Sequence, residues 1–261
     1  MRYFIRLSYN GTGFCGWQIQ PNGITVQESL ERALSLALGT GIKVTGAGRT
    51  DTAVNAVNYI AHFDAEDTLI PEPGALGYKL NAILGKGIIV HEIARADDDF
   101  HARFSATSRE YRYFIHRKKD PFMWNFSWFC KFGLDMDMMN SAALFLKGTH
   151  DFSCFEKKGG NNRTSVCTVY EAGWKTYIPG HATLLGYPCE DGDYLVFTVR
   201  ADRFLRNMVR AMVGSLVEVG RGKHDPEWIR QLMEGGIRSD AGESVPAHAL
   251  FLNKVEYWHR D

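Results

Sequence analysis

The sequence has few cysteines, and their arrangement limits what this chain can be. Its five cysteines are an odd number, and no two of them have the spacing of paired metal ligands. They are Cys15, Cys130, Cys154, Cys167 and Cys189. A disulfide framework and a zinc site are therefore not expected, and reduced thiols in the cytoplasm fit this pattern better.

The sequence also lacks an excess of charge and any long apolar run. Thirty Lys and Arg residues balance thirty Asp and Glu residues, so the formal net charge is zero and a globally basic nucleic-acid binder is not indicated. Segregated charges could still form a local basic surface. No stretch approaches the roughly 18 apolar residues of a membrane span. Residues 1–14 resemble a strand rather than a signal peptide.

Apolar periodicity predicts alternating strands and helices in the first half of the chain. Alternation over Arg2–Ser8 predicts a strand. Thr25 followed by Glu28 forms a capping box, and Gly39 ends the apolar helical face that follows. The further predicted elements are a strand at 42–45, a loop at 46–51, a strand at 57–63, a helix at 73–84 and a strand at 87–93.

The second half repeats this order of elements. Its predicted elements are a strand at 109–116, a helix at 136–146, strands at 165–174 and 194–200, a helix at 204–219 and a strand at 250–257. Each half is therefore β-α-β-β-α-β, the split βαβ order. We predict an α+β fold of two pseudo-related, ferredoxin-like halves, residues 1–104 and 105–261, with a mixed, mainly antiparallel sheet and a central cleft.

Basic residues concentrate around one strand and one helix of the second half. The first group comprises Arg103, Arg109, Arg112, Arg117, Lys118 and Lys119, and the second comprises Arg200, Arg203, Arg206, Arg210, Arg221 and Lys223. The spacing of Arg203, Arg206 and Arg210 predicts a shared helix face. Interleaved aromatics such as Tyr111 and Phe204 are typical of surfaces that stack on bases. A solvated helix face explains the arginines equally well, and Tyr113 fits a core position better.

A glycine-rich loop carries the residues most suited to chemistry. Gly46 and Gly48 allow a tight turn, and Arg49 precedes Asp51 by two positions. A nearby guanidinium holds a carboxylate ionised, and an ionised carboxylate serves as a nucleophile or a base. Taken alone, an Asp that caps the next element explains this loop nearly as well.

Five segments, in order, resemble motifs of one known family. Gly48–Ala56 resembles the G-R-T-D-x-G-V-H-A motif of the tRNA pseudouridine synthase A family. The other four segments resemble that family's Y-D-G-T-x-F-x-G-W-Q, F-H-A-R-F-S-A…R-x-Y-x-Y, F-L-x-x-M-V-R and P-A-x-G-L-x-L motifs; they are residues 9–18, 100–113, 204–210 and 246–252. Together they span nearly the whole chain. Three positions depart from the pattern, with Ala53 and Ala249 in place of Gly and Asn55 in place of His.

The resemblance implies an enzyme that isomerises uridine to pseudouridine at positions 38–40 of the tRNA anticodon arm. It implies a cytoplasmic homodimer that binds tRNA in its cleft and needs neither a cofactor nor a metal ion. The nucleotide must leave its stack to be reached. The N1–C1′ bond then breaks, the base turns, and C5 bonds to C1′.

The resemblance also implies roles for particular residues. Asp51 is the expected nucleophile, with Arg49 beside the flipped nucleotide, Tyr111 stacked on the base and Arg210 paired with Asp51. Leu250 would pack against the base. The candidate RNA contacts are Phe100, His101, Arg103, Phe104, Asn162 and Arg163. Core packing is the alternative for Tyr111 and Leu250, and solvated surface is the alternative for the RNA contacts.

Two other classes of function fit parts of the sequence. A catalytically silent tRNA-binding protein on the same fold is one, although the set of Arg49, Asp51 and Tyr111 argues against it. An Asp-dependent small-molecule hydrolase is the other. It would need a positioned water and a partner carboxylate, and no paired-carboxylate motif stands out.

Overall fold

The chain divides into two compact units. A computed structural model describes residues 1–159 and 163–257. The first unit is Met1–Arg109 together with the chain from Phe251 onward, and the second is Glu110–Leu250. The sequence placed the boundary after residue 104. In the structure it lies inside a strand, and the last strand belongs to the first unit.

The first unit is a mixed sheet with two helices. Its strands are β1 (Arg2–Tyr9), β2 (Val44–Gly46), β3 (Asn55–Asp64), β4 (Ile88–Arg95) and β10 (Leu250–Tyr257), and its helices are α1 (Val26–Leu38) and α2 (Pro73–Ile83). β1 lies between β4 and β3 and is antiparallel to both. β3 also pairs with β2, antiparallel, and with β10, parallel. The chain order up to β4 is β-α-β-β-α-β.

Local sequence explains the first strand and the first helix. Tyr3, Ile5 and Leu7 of β1 are fully buried, as the alternation predicts. The Thr25 hydroxyl accepts a hydrogen bond from the Glu28 N–H at 3.2 Å, which satisfies a free donor at the start of α1. Gly39 ends α1 at a φ of +71°, a conformation that favours glycine. The predicted limits of α1 are therefore confirmed.

The second unit is also a mixed sheet with helices. Its strands are β5 (Ala106–His116), β6 (Trp128–Phe129), β7 (Gly148–Asp151), β8 (Val166–Thr176) and β9 (Tyr194–Ala201). Its helices are α3 (Met136–Leu144), α4 (Gly180–Leu185), α5 (Met208–Gly220) and α6 (Trp228–Gly235). The strand order is β5-β9-β8-β7, and β6 pairs with β5. The sequence did not predict β6, β7 or α4, which are short elements.

α5 is the central helix of the second unit, and it begins later than predicted. Asn207 precedes it at a φ of +63°, which a helix cannot include, so the first helical residue is Met208. Arg203 and Arg206 therefore lie before the helix. The prediction that they share a helix face with Arg210 is wrong.

The described elements confirm the predicted α+β class. Both units combine strands and helices, and most of the described pairings are antiparallel, including those of β8 with β7 and β9. Within residues 1–159 and 163–257, no helix has both the length and the apolar character needed to cross a bilayer.

Candidate active site

The loop that carries Asp51 connects β2 to β3 in the first unit. We call residues 47–54 the Asp51 loop. The Asp51 side chain is partly exposed, and Arg49 is exposed. The Asp51 carbonyl accepts the Val54 N–H at 3.1 Å, which closes a turn. Because the next element is the strand β3, there is no helix N-terminus for Asp51 to cap.

A second glycine-rich loop, residues 10–23, holds the Asp51 loop by its backbone; we call it the opening loop. The Trp17 N–H donates to the Thr50 carbonyl at 3.2 Å. A Cβ at Gly16 would lie 2.5 Å from the Thr50 oxygen, and a Cβ at Gly11 would overlap the Val54 oxygen. Glycine is therefore required at both positions because the two backbones touch.

Buried aromatic residues hold the Asp51 loop by hydrogen bonds and ring stacking. Tyr59 of β3 donates its hydroxyl hydrogen to the Gly48 carbonyl. The Trp17 ring stacks on Tyr59 with 4.1 Å between centroids. Tyr9 is buried as well, and its hydroxyl lies 2.8 Å from the Thr50 hydroxyl. The residues on both sides of Arg49 are thus fixed by rigid strands.

Asn55, one of the three departures from the family pattern, joins the two loops. Its side chain is buried, and its Oδ1 accepts the Gly11 N–H at 2.9 Å. A buried N–H without an acceptor destabilises a fold. Asn55 therefore supplies a hydrogen bond that the contact between the opening loop and the Asp51 loop needs.

Ala53, a second departure, has a backbone conformation that favours glycine. Its φ is +65°, in the left-handed region. A Cβ there is strained against the following carbonyl, at a cost of about 1–2 kcal/mol. The glycine of the family motif at this position thus has a physical reason, and this chain tolerates the strain of alanine.

We predict that Ala53→Gly stabilises the protein. Glycine removes the left-handed strain but increases the entropy of the unfolded chain, so the expected net gain is about 0.5–1 kcal/mol. Urea unfolding measures it. Gly39→Ala, at a φ of +71° on the surface, is the reciprocal control and should lose stability by a similar amount. A loss of stability in Ala53→Gly would contradict this account.

Three predicted RNA contacts form an exposed aromatic and basic group in the first unit; we call His101, Arg103 and Phe104 the platform. The Phe104 side chain is 76% exposed. Its ring lies 4.3 Å from the His101 ring, and the Arg103 guanidinium lies 5.6 Å from its centroid. A large exposed aromatic beside an arginine is typical of surfaces that stack on bases.

His62 of β3 anchors the segment that bears the platform. Its buried Nδ1 accepts the Ala102 N–H at 3.1 Å, and the Tyr257 hydroxyl donates to the Ala102 carbonyl at 2.8 Å. Burial, reinforced by the positive charge of Arg2 and by His101, lowers the pKa of His62 to about 4. His62 is therefore neutral at pH 7, and its ring nitrogen accepts a hydrogen bond.

We predict that His62 makes stability fall in acid. The folded-state pKa of about 4 lies below the ordinary value of 6.5, so the unfolded chain binds the proton first. The contribution of neutral His62 to the free energy of unfolding is complete above pH 6.5 and is lost as the pH falls towards 4. The loss amounts to at most about 3 kcal/mol. Urea unfolding between pH 7 and 4.5 should show a smaller decline in His62→Asn. Equal declines in the two proteins would contradict this.

Two tyrosines of β5 have different environments in the second unit. The Tyr111 ring is partly exposed and lies edge-to-face against Phe204 at 5.0 Å. Tyr113 is fully buried, and its hydroxyl donates to the Pro246 carbonyl at 2.9 Å. Burial raises the pKa of Tyr113 well above its ordinary value. The prediction that Tyr113 is a core residue is confirmed.

Arg210 lies in the first turn of α5 and contacts the segment before β10. Its Nε donates to the Val245 carbonyl at 2.7 Å, and the Val245 N–H donates to the Arg210 carbonyl at 3.3 Å. Leu250 is buried. Arg210 of α5 and Tyr113 of β5 thus hold the chain at Val245 and Pro246. A short 3₁₀ helix, Ala247–Ala249, connects Pro246 to Leu250.

Two further predicted RNA contacts, Asn162 and Arg163, lie in the second half of the sequence. Arg163 is exposed in a bend, and Asn162 lies outside the described residues.

Burial raises the pKa of Cys154 and Cys167 to about 12, so both are protonated thiols at pH 7. In the described parts of the chain, no three His, Cys, Asp or Glu residues come together in a group suited to a metal ion.

Sequence reasoning did not assign several residues that build this site. Gly11 and Gly16 could have been found, since both belong to the family motif at residues 9–18. Their contact with residues 50–54, however, forms only in the tertiary structure. Asn55 was noted only as a departure. His62 carried no signal, because a histidine in an alternating strand has no distinct pattern.

The chain is similar to curated enzymes over nearly its full length. A family model described as tRNA pseudouridine synthase matches residues 142–258. The tRNA pseudouridine synthase A of Parabacteroides distasonis is 46% identical over 256 residues, which cover 98% of this chain and 96% of that protein. Proteins of the same name from Bacteroides thetaiotaomicron and Colwellia psychrerythraea are 45% and 39% identical; each match covers 98% of this chain, and 90% and 94% of those proteins.

One solved structure shows a distant likeness. The crystal structure of the archaeal box H/ACA sRNP Nop10-Cbf5 complex matches 82% of this chain and 44% of that chain, with 11% sequence identity and a TM-score of 0.34. This likeness is weak, and the relatives named above are far more similar to the chain.

Proposed function

Because this chain belongs to the tRNA pseudouridine synthase A family, we propose that it isomerises uridine at positions 38–40 of the tRNA anticodon arm, with Asp51 as the nucleophile. The observation that carries this proposal is the fixation of the Asp51 loop. The opening loop and Tyr59 bind its backbone, and Asn55, directly after it, accepts the Gly11 N–H of the opening loop, so the carboxylate is presented from a rigid support. Such fixation is what a nucleophile needs to meet a substrate in one geometry.

The chemistry requires a nucleotide outside its helix. The uridine is flipped into the site, the Asp51 carboxylate attacks it at the uracil C6 or the ribose C1′, and the N1–C1′ bond breaks. The base then turns and C5 bonds to C1′. The bond between Asp51 and the substrate breaks, the proton on C5 leaves, and N1 takes up a proton from water. All atoms of the substrate are kept, as an isomerisation demands.

The other expected residues bind the nucleotide or assist Asp51. Arg49 contacts the flipped nucleotide, and its exposure is compatible with that role. Tyr111 stacks on the base and offers its hydroxyl for proton transfer, with its ring supported by Phe204. Arg210 pairs with Asp51 and keeps it ionised, and Leu250 packs against the base.

RNA binding uses the platform and the exposed basic side chains. Phe104 and Arg103 offer a ring and a positive charge to unpaired bases and phosphates, and His101 lies against Phe104. Phe100, Arg163 and Asn162 complete the proposed contacts. We infer a cytoplasmic location from tRNA as the proposed substrate, and a fold of two ferredoxin-like halves from the β-α-β-β-α-β order that the sequence predicts for each half.

We predict that Asp51→Asn abolishes turnover and leaves tRNA binding intact. The amide keeps the size of the side chain but cannot act as the nucleophile, so single-turnover pseudouridine formation should fall more than about a hundredfold. The measurements are pseudouridine in a tRNA transcript, tRNA affinity and a melting curve. Asp191→Asn, in an exposed turn, is the control and should keep the wild-type rate.

The same measurements separate the competing functions. More than a tenth of the wild-type rate in Asp51→Asn would refute the assignment of the nucleophile. A wild-type protein that binds tRNA and makes no pseudouridine would be a silent tRNA-binding protein. A protein without affinity for tRNA would contradict the whole proposal.

We propose a homodimer as the form that binds tRNA. The support is the family resemblance and the size of the anticodon arm relative to one chain of 29.5 kDa. Closed two-fold dimers are the commonest assembly of soluble proteins. Each subunit would hold one site and share the tRNA with its partner.

We predict a particle of twice the chain mass. Light scattering after size-exclusion chromatography, at the concentration used for the activity assay, should give about 59 kDa, which is twice the mass of one 29.5 kDa chain. The same sample should be assayed for pseudouridine formation. A mass of one chain in a fully active sample would refute the dimer.

A further inference from the structure

Arg109, the last residue of the Met1–Arg109 part of the first unit, binds three backbone carbonyls with its guanidinium. Its Nη2 donates to the Arg103 carbonyl at 2.6 Å and to the Ala47 carbonyl at 3.1 Å. Its Nη1 donates to the Ala106 carbonyl at 3.1 Å. One side chain thus contacts two separate stretches of backbone.

The first of these stretches is the start of the Asp51 loop. Ala47 is buried, and its N–H donates to the Ile60 carbonyl of β3 at 2.9 Å. With Arg109 on its carbonyl, both polar backbone groups of Ala47 are bonded. The backbone that leads to Asp51, four residues later, is therefore fixed on one side by β3 and on the other by Arg109.

The second stretch bears the platform. Arg103 belongs to the platform, and Ala106 follows it at the start of β5. Within this stretch the His101 carbonyl accepts the Ser105 N–H at 2.9 Å, and the Ser105 hydroxyl accepts the His101 N–H at 2.9 Å. Residues 101–105 form a compact turn, and Arg109 binds the Arg103 carbonyl inside it and the Ala106 carbonyl directly after it.

Arginine is suited to this task for a geometric reason. Its guanidinium is planar and offers five N–H donors in fixed directions, whereas lysine offers one compact ammonium group. A single group can therefore bind carbonyls that face it from different directions and hold them at a constant spacing. Lysine at this position could keep the charge but not all three hydrogen bonds.

We propose that Arg109 is a positioning residue that fixes the spacing between the Asp51 loop and the platform segment, and that it is not a phosphate contact. Its effect on turnover rests on the proposed function of Asp51. Displacement of a reacting group by about 1 Å costs on the order of a hundredfold in rate. Loss of the Arg109 hydrogen bonds should therefore lower the rate at saturating tRNA.

The test compares Arg109→Met, Arg109→Lys and the control Arg6→Met. Arg6 lies on β1 and pairs with Glu92 at 3.1 Å, so the control removes a charge and an ion pair without touching either loop. The single-turnover rate at saturating tRNA should fall at least about tenfold in Arg109→Met. It should fall at least about threefold in Arg109→Lys, because one ammonium group replaces only part of the guanidinium. It should be unchanged in Arg6→Met.

Salt dependence distinguishes positioning from phosphate binding. Each phosphate contact contributes about 0.7–0.9 to the slope of log affinity against log salt. If Arg109 positions loops, Arg109→Lys and wild type have equal slopes, and Arg109→Met retains the wild-type slope as well. A salt slope in Arg109→Met that is smaller by about 0.7–0.9, the contribution of one phosphate contact, together with a normal rate at saturating tRNA, would overturn the proposal.

Hydrogen exchange gives a readout that does not depend on tRNA. The N–H groups of Ala47 and Val54 belong to the Asp51 loop, and the Trp17 N–H donates to it. All three should exchange faster in Arg109→Met than in Arg6→Met. Unchanged exchange would overturn the positioning role. If the wild-type protein made no pseudouridine, the proposed function would fail, while this measurement would still decide the role of Arg109. If Arg109→Met did not fold, Arg109→Lys would decide it by rate and exchange.

Discussion

The direct contact between two stretches of backbone is the constraint on which the Asp51 loop depends. The opening loop approaches so closely that Gly11 and Gly16 leave no room for a Cβ. The backbone N–H groups of Trp17 and Ala53 each donate to the opposite loop, and the side-chain oxygen of Asn55 accepts from the opening loop. Such a contact is stiff because it involves no flexible side chain at its centre. The strain at Ala53 is tolerated since the surrounding hydrogen bonds determine the course of the chain.

The second unit uses a close backbone contact of the same kind. Gly214 in the middle of α5 lies against Glu243, where a Cβ would overlap the carbonyl oxygen, and the Gly242 N–H donates to the Ser215 hydroxyl at 2.9 Å. This contact holds the chain just before Val245, whose carbonyl binds Arg210. In both units, glycines allow two stretches of backbone to touch, and the residues suited to function lie within a few positions of that contact.

Hydrogen bonds within the protein reduce the number of arginines that face solvent. Arg2 donates to the carbonyls of Asp98 and Phe100 at 3.0 and 2.8 Å, and Arg238 donates to the carbonyl of Gly242 at 3.1 Å. Like Arg109, these arginines hold loops in place by hydrogen bonds to backbone carbonyls. A basic residue in the sequence is therefore not equivalent to a basic residue on the surface. The exposed Arg49 and Arg103 are better candidates for RNA contact, because their environment leaves them open to solvent.

The sequence by itself determined the α+β class, the limits of α1, the core position of Tyr113 and the family, because capping, alternation and short motifs are local patterns. The tertiary structure alone decided why Gly11, Gly16 and Asn55 occupy their positions, where α5 begins, and that His62 and Arg109 bind the backbone around the site. These features depend on atoms distant in sequence: Arg109 meets Ala47 across 62 positions, and His62 meets Ala102 across 40. No local pattern encodes such a contact, since a histidine or an arginine in a strand has the same appearance whether it faces solvent or a carbonyl.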